Sequence, residues 1–544
     1  MTEPVPSTGL LRSNVTVAIG TALSRLTGLI RVMVLGFVVG QTSLADAYNG
    51  ANNSPNTIYE LLLGGVLSAS LVPLFTKQFE RKDDDGTRAV ITVSAIAIGV
   101  LTIAAVLAAP WIFRLYSLHP SDAVVAGEYR AVGTALARIF LVQIFFYGMT
   151  AIGTSLLNAR RRFFAAAWSP VLANIVIIAS ILIVPSVMDH KTPVLGDVLT
   201  NSSLKYTLGL GATLGIAVMA ISLLPALRNA GVPWKINTDF KNPAVKQLMR
   251  LSGWTLGYAI ANQIAIIVVQ NLALSSGPGQ ADAYTKAFTF FVLPHGLLAV
   301  SIATTFEPEM ARNVVRRDKA SFIEQASLGV RMVALLTIPA GFGLFVLRRA
   351  IIGAVLEHNQ FNGVAALNTS RALGGFAIGL VGFSVYLFVL RGFYAHNDAR
   401  TPFIINLIEN AINIALAFPL IHRYGVLGLG LSFGIAYLVT AALALLVLSY
   451  KVPGFSLRDL YTSLWRMLLA GVIMAEAVWG AARAVGSNSG GGVILRLAAG
   501  TSIGILVYVL ILLALEAPEI ELLAKRLQPL KNKLRPRSTP DSAV

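Results

Sequence analysis

About fourteen stretches of roughly 20 or more mostly apolar residues follow one another along this chain, each long enough to cross a bilayer as a helix. They fall near residues 12–39, 44–77, 88–115, 128–157, 164–187, 205–228, 244–274, 281–311, 324–347, 366–394, 401–421, 425–450, 463–483 and 492–515. Lipid offers the backbone no hydrogen-bond partner, so apolar runs of this length are read as helices that satisfy their own amides. The expected fold class is an all-α polytopic membrane protein. Composition agrees, because 55% of the 544 residues are hydrophobic and only 13% are charged. Residues 1–12 are polar, and the stretch after them carries Arg25 and Arg31 where a secretion signal would be clean, so the N-terminus is expected to be retained. Cysteine is absent, which excludes disulfides and thiolate chemistry.

Charge sets the expected orientation. The net charge is +17, yet the basic residues gather in alternate loops, so no nucleic-acid partner is expected. With the N-terminus inside, the even-numbered connections carry Lys77, Arg81, Lys82 and Arg88, then Arg160–Arg162, then Arg228 to Arg250, then Arg312, Arg316, Arg317 and Lys319. Odd-numbered connections are nearly bare, with exceptions such as Arg348, Arg349 and Arg483. By the positive-inside rule both termini are cytoplasmic, and the basic run from Lys525 to Arg537 lies near anionic lipid.

An internal repeat organises the spans. The run Pro73-Leu-Phe-Thr-Lys77-Gln-Phe-Glu-Arg81-Lys82-Asp83 aligns without gaps with Pro308-Glu-Met-Ala-Arg312-Asn-Val-Val-Arg316-Arg317-Asp318, an offset of 235 residues. Weaker echoes pair Arg25-Leu-Thr-Gly28 with Arg250-Leu-Ser-Gly253, and Pro170…Asn174 with Pro402…Asn406. Residues 1–240 are therefore expected to form a first lobe of spans 1–6, and 241–455 a second lobe of spans 7–12 in the same orientation. Spans 13 and 14, within 456–515, are appended, and 516–544 is a basic cytoplasmic tail. Two six-helix lobes around a central cavity suit a transporter that exposes its substrate to each face in turn by rocking.

Polar groups at membrane depth mark where that cavity lies. In span 2, Asp46, Asn49, Asn53, Asn56 and Glu60 are spaced 3, 4, 3 and 4, which puts all five on one helix face. Pro55 and Gly64-Gly65 weaken the helix there, and Pro55, Glu60 and the span 1 glycine Gly28 are expected to serve gating. Arg25 and Arg31 lie about 120° apart and roughly 9 Å along the same helix. Arginine matches phosphate oxygens through bidentate hydrogen bonds, so an anionic, phosphorylated substrate is expected at Arg25, Arg31, Asp46, Asn49, Asn53 and Asn56. A packing role remains open for the same groups, with both arginines paired to Asp46 and Glu60. Lys286 is the lysine within the long apolar stretch of span 8 and is a further binding candidate. In span 11, Asn406, Glu409 and Asn410 offer oxygens that suit a coupling sodium ion, with Asn406 and Asn410 the candidate ligands.

No enzymatic activity is expected. The six histidines show no metal-ligand spacing, and no Walker loop, nucleophile elbow or dinucleotide-binding glycine motif occurs. No cofactor is expected either, which leaves transport to the membrane potential or to coupled H+ or Na+.

The run Ser24-Arg25-Leu-Thr-Gly28-Leu-Ile-Arg31, with Ala45-Asp46-Ala47, Pro55-Asn56, Gly65-Val-Leu-Ser68 and Val72-Pro73, resembles the start of the MurJ/MviN family, lipid II flippases of the MOP exporter superfamily. Leu157-Asn158-Ala159 with Arg162-Phe163, Leu293-Pro294-His-Gly296, and Gly392-Phe393-Tyr394-Ala395 with Asp398 and Thr401-Pro402 fit as well, so the resemblance covers about residues 10–515. The Tyr59-Glu60-Leu-Leu-Leu-Gly-Gly variant is similar to actinobacterial members. The resemblance implies fourteen spans in a bacterial cytoplasmic membrane, and a role in cell wall synthesis in which lipid II is moved from the inner to the outer leaflet. It implies headgroup binding or gating at Arg25, Arg31 and Asp46, and a groove for the polyprenyl tail at spans 13 and 14. Cell-wall synthesis proteins and the phospholipid bilayer are the remaining expected partners. Many Gram-negative members carry arginines where Tyr59-Glu60 stand here and another in span 8, for which Lys286 is the nearest replacement. Export of another polyprenyl-linked oligosaccharide or of a drug, and a transport-inactive scaffold for wall synthesis, are the alternatives the residues leave open.

Overall fold

The structure, a computed structural model, describes residues 7–60, 68–233, 235–245 and 253–520. Among these the chain is helical throughout, with no strand. Twelve helices are long and apolar enough to cross a membrane, and a thirteenth span follows if Gly363–Ile378 and Leu380–Ala395, which meet at 48°, are taken together. Each expected span has a counterpart. Span 2 fails the apolar criterion for a physical reason: its first helix, Ser43–Tyr59, carries the polar stripe, and its second, Ser68–Glu80, follows residues outside the described set. Gly64-Gly65 and the Arg250–Ser252 part of the weaker echo also lie outside the described residues, as does most of the basic tail.

Two compact units are present. The first comprises Met1–Leu293, Val355–Gly375 and Ala399–Ala436, and the second Pro294–Ala354, Phe376–Asp398 and Tyr437–Val544. In the first unit, span 1 (Ser7–Val39) packs along span 5 (Phe164–Val187), span 5 along span 6 (Ser202–Ile221), and span 7 (Gly253–Ser275) along span 11 (Arg400–Tyr424). In the second unit, span 13 (Leu457–Ala484) packs on span 14 (Gly492–Ala514), and both share an apolar core with span 9 (Lys319–Leu356) through Leu335, Ile338, Leu347, Met467, Met474 and Leu512. Lipid tails are as apolar as leucine, so close approach of backbones matters more here than exclusion of apolar surface. At Gly375 a side chain would meet the backbone of Leu427 and Gly430 at 2.6 Å, which only glycine tolerates. Leu107, Trp111 and Ile505 stay mostly exposed, as lipid-facing side chains do.

The repeat is visible in the backbone. Lys82 and Arg317, equivalent in the 235-residue register, both adopt a left-handed conformation with φ of 55° and 57°. Asp83 N donates to Gln78 O and Asp318 N to Asn313 O, each at 2.9 Å, which closes both helices with the same turn. Each aspartate then caps the next span: Asp83 Oδ1 accepts from Gly86 N at 2.8 Å, and Asp318 Oδ1 from Ser321 N at 3.0 Å. The Ser321 amide and hydroxyl hold the Asp318 carboxyl below the usual carboxylate range.

The span 5 and span 11 echo shows in side-chain contacts. Asn174 of span 5 donates to Thr27 Oγ1 of span 1 at 3.0 Å, and Asn410 of span 11 donates to Asn262 Oδ1 of span 7 at 3.0 Å. Asn406, one helical turn earlier on the same face, donates to the same Asn262 oxygen at 2.9 Å, so either asparagine of span 11 matches Asn174 by contact.

Candidate transport site

Thr42 starts the first helix of span 2 by accepting from Ala45 N at 3.3 Å, and this places Asp46 in the first turn, buried. Span 8 opens opposite it with Gln280–Pro294. Asp46 Oδ2 accepts from Gly279 N at 2.6 Å and Asp46 Oδ1 from Asp282 N at 2.7 Å, so both carboxylate oxygens rest on the amides that a helix start leaves unpaired. Gly279 adopts φ of 77° and packs on Gln41, so its amide reaches Asp46 only because no side chain is present. Asn49, one turn on, donates to Asp282 Oδ1 at 2.8 Å. The Asp282 carboxylate also pairs with Lys286 Nζ, both side chains being almost fully buried. Thus Asp46, Asn49 and Lys286 meet, joined by Asp282.

Lys286 passes span 1 at Gly36, where an added Cβ would stand 3.5 Å from Lys286 Cε and 3.3 Å from the Phe361 ring. Its ammonium lies 5.5 Å from the centre of that ring. Span 1 thereby carries both the lysine's contact at Gly36 and, five residues earlier, Arg31.

Arg25 and Arg31 are half-buried, and among the described residues neither guanidinium makes an ion pair or a hydrogen bond. Arg31 lies close enough for its charge to act on the Tyr48 and Tyr147 phenols. The side chains of Asn53 and Asn56 are likewise half-buried and without a bonded partner among the described residues. The pairing of the arginines with Asp46 and Glu60, left open by the sequence, is absent here: Asp46 is occupied by backbone amides, and Glu60 Oε2 accepts from Gln263 Nε2 of span 7 at 2.5 Å. Gln263 Oε1 in turn accepts from Thr57, whose hydroxyl accepts from Tyr116 at 2.6 Å. Pro55 is buried, and the helix runs through it as far as Tyr59. A Cβ added at Gly28 would stand 3.7 Å from Asn174 Nδ2 of span 5, a packing position between spans 1 and 5.

A second polar knot joins spans 7 and 11. Asn406 and Asn410 both donate to Asn262 Oδ1, at 2.9 and 3.0 Å, and the buried Asn406 Oδ1 has no hydrogen-bond partner among the described residues. Glu409 is buried beside them, and Asn413 Oδ1 accepts from Ser432 of span 12 (Val426–Lys451) at 3.0 Å. Sequence reading missed Asp282 and Gly36. Asp282 had two signals, its i,i+4 spacing to Lys286 and its place one residue beyond the 235-residue register from Asp46.

The family described as "Lipid II flippase MurJ" matches residues 37–500. A "Probable lipid II flippase MurJ" of Rhizobium meliloti is 29% identical over 479 residues, covering 86% of each chain. The "Lipid II flippase MurJ" of Burkholderia cenocepacia is 27% identical over 450 residues, or 80% of this chain and 83% of that one. Among solved structures, "Lipid II flippase MurJ, inward closed conformation" superposes with a TM-score of 0.73 at 23% identity, covering 91% of this chain and 98% of that one, which establishes a shared fold.

Proposed function

Because this chain belongs to the lipid II flippase MurJ family, we propose that its unpaired span 1 arginines bind the pyrophosphate of lipid II while the buried span 2 and span 8 carboxylates hold the far gate shut. The chain is a lipid II flippase and a multi-pass membrane protein; the assignment of roles to residues is our reading. The carrying observation is a division of labour in charge. Asp46 and Asp282 are committed to amides, Asn49 and Lys286, whereas Arg25 and Arg31 are half-buried and uncommitted. A guanidinium in a membrane costs roughly 2.5–3.5 kcal/mol on insertion scales, so two without a carboxylate call for water and an anion.

The bare odd-numbered loops support an orientation with Gln41 and Ser275–Gln280 outside and both termini in the cytoplasm. Asp46 on the Gly279 and Asp282 amides is then an outer latch, with Glu60 on Gln263 as a second tie. Lipid II enters from the cytoplasmic side. Its pyrophosphate meets Arg25 and Arg31, its sugars meet Asn53 and Asn56, and rocking of the lobes 1–240 and 241–455 carries it outward. The polyprenyl tail stays in the bilayer beside spans 13 and 14, which pack on span 9 as an appended element. Inside-negative potential contributes roughly 2.3 kcal/mol per elementary charge per 100 mV to moving an anionic headgroup outward. As a coupling ion, Na+ fits the amide oxygens of Asn406 and Asn410, the hard oxygen donors such a cation takes; H+ is the alternative. Cell-wall synthesis proteins are proposed partners at the cytoplasmic loops.

The test substitutes Arg25 and Arg31 singly in cells that depend on this chain and measures lipid II accessibility at the outer leaflet. Loss of accessibility with normal membrane levels is expected. Unchanged accessibility in both variants would sink the arginine assignment.

A further inference from the structure

A lysine already neutralised by a buried carboxylate holds no anionic headgroup until that carboxylate lets go. Asp282 Oδ1 takes both Lys286 Nζ and Asn49 Nδ2, while its Oδ2 is buried and has no partner among the described residues. The backbone amide of the same residue holds Asp46 Oδ1, so two carboxylates stand at the first turn of span 8, and Lys286, paired with Asp282, is there to offset the charge. Lysine carries its charge on a flexible four-carbon stem with three rotatable donors, and the bare backbone at Gly36 leaves this stem room beside span 1. Arg31 lies about 7.5 Å from Gly36 along that helix at 1.5 Å per residue.

We propose that Asp282 is the internal counter-ion of Lys286 and couples loading to opening: it holds the lysine while the site is empty, yields it to the lipid-linked pyrophosphate, and as an uncompensated carboxylate then repels Asp46 from the span 8 amides. This rests on the flippase reading above. Breaking a buried ion pair by withdrawing one partner leaves a charge the protein must re-solvate, and a second carboxylate alongside raises that cost. Opening the latch admits water and relieves both. Without substrate no anion competes for Lys286, and the gate stays shut. Asp282 is thus a positioning residue.

The test compares the full-length chain with Asp282→Asn and with Asp282→Asn/Lys286→Met. Lipid II binding is measured on purified protein, and outer-leaflet lipid II in dependent cells. The chain has no cysteine, so Ala45→Cys, buried next to Asp46, reports opening through labelling by a membrane-impermeant maleimide. Asp282→Asn frees the lysine and removes the repulsion. It is expected to bind lipid II about tenfold tighter, to lower outer-leaflet lipid II about tenfold, and to leave the introduced thiol unlabelled when lipid II is added. The double variant is expected to lose the tight binding and remain closed. An Asp282→Asn chain that binds, opens and flips as the wild type does overturns the proposal. Should Asp282→Asn alone fail to accumulate, the double variant decides, because labelling on addition of lipid II would likewise overturn it. A wild-type chain that neither binds nor flips lipid II removes the flippase reading itself, independently of any variant.

Discussion

In the 235-residue register spans 1 and 7 pack alike and carry charge differently. Each meets the fifth span of its own half through an asparagine, Asn174 onto Thr27 and Asn410 onto Asn262. In the 235-residue register Arg25 and Arg31 correspond to Ile260 and Ile266, which are 43% and 44% exposed. Helix contact has been kept twice and cationic charge placed once. The second half supplies its charge from span 8 instead, where Lys286 stands opposite Ala51 in the same register. Scaffold and charge placement are separable in this fold, and the half without the arginines carries the polar knot at Asn406.

The largest expected effect comes from erasing the difference. Arg25→Ala or Arg31→Ala should lower outer-leaflet lipid II about 10- to 100-fold, since a hydrogen bond to a charged group contributes roughly 1.5–3 kcal/mol. Lysine at either site should recover only part of this, because it lacks the fork. Transplanting the charge sharpens the comparison. Ile260→Arg should reach the membrane at wild-type levels if the equivalent faces share one aqueous space; a lipid-facing position would cost roughly 2.5–3.5 kcal/mol and deplete the protein, ending the equivalence. Asp46→Ala orphans two buried amides and should cost about 1–3 kcal/mol each, read as a lower melting temperature in detergent.

Smaller effects separate packing from ion binding. Asn174→Ala and Asn410→Ala should destabilise by a similar amount, about 1 kcal/mol each, while only Asn410→Ala should alter the sodium dependence of transport. Equal sodium dependence in both would reduce the knot to packing. Smallest of all is the Asp318 cap. Its carboxyl titrates below the ordinary range in the folded chain, so the cap contributes in full above that range and is lost as pH falls through the lowered value. Amide exchange at Ser321 should accelerate on acidification, and Asp318→Asn should remove that pH dependence.

Most of the architecture was legible because lipid makes span length and backbone satisfaction dominate the fold. The span 2 stripe was legible for a related reason, since five polar residues at 3,4 spacing have one place to go. What each polar group bonds to was not. Asp46 reads as a substrate ligand from its neighbours in sequence, but its oxygens are taken by amides of Gly279 and Asp282, more than 230 residues away. Asp282 itself escaped notice at the border of an apolar run, where a carboxylate usually marks solvent. The left-handed turns at Lys82 and Arg317 carry the 235-residue register into the backbone.

Asp46 holds two amides with the two oxygens of one carboxylate, and this gives the latch a kinetic character. Releasing one amide while keeping the other leaves a buried donor orphaned at about 1–3 kcal/mol, so the half-released state is a crest and not a resting place. Opening of the proposed latch would then be all-or-none, and a gate with no stable half-open state would spend little time ajar.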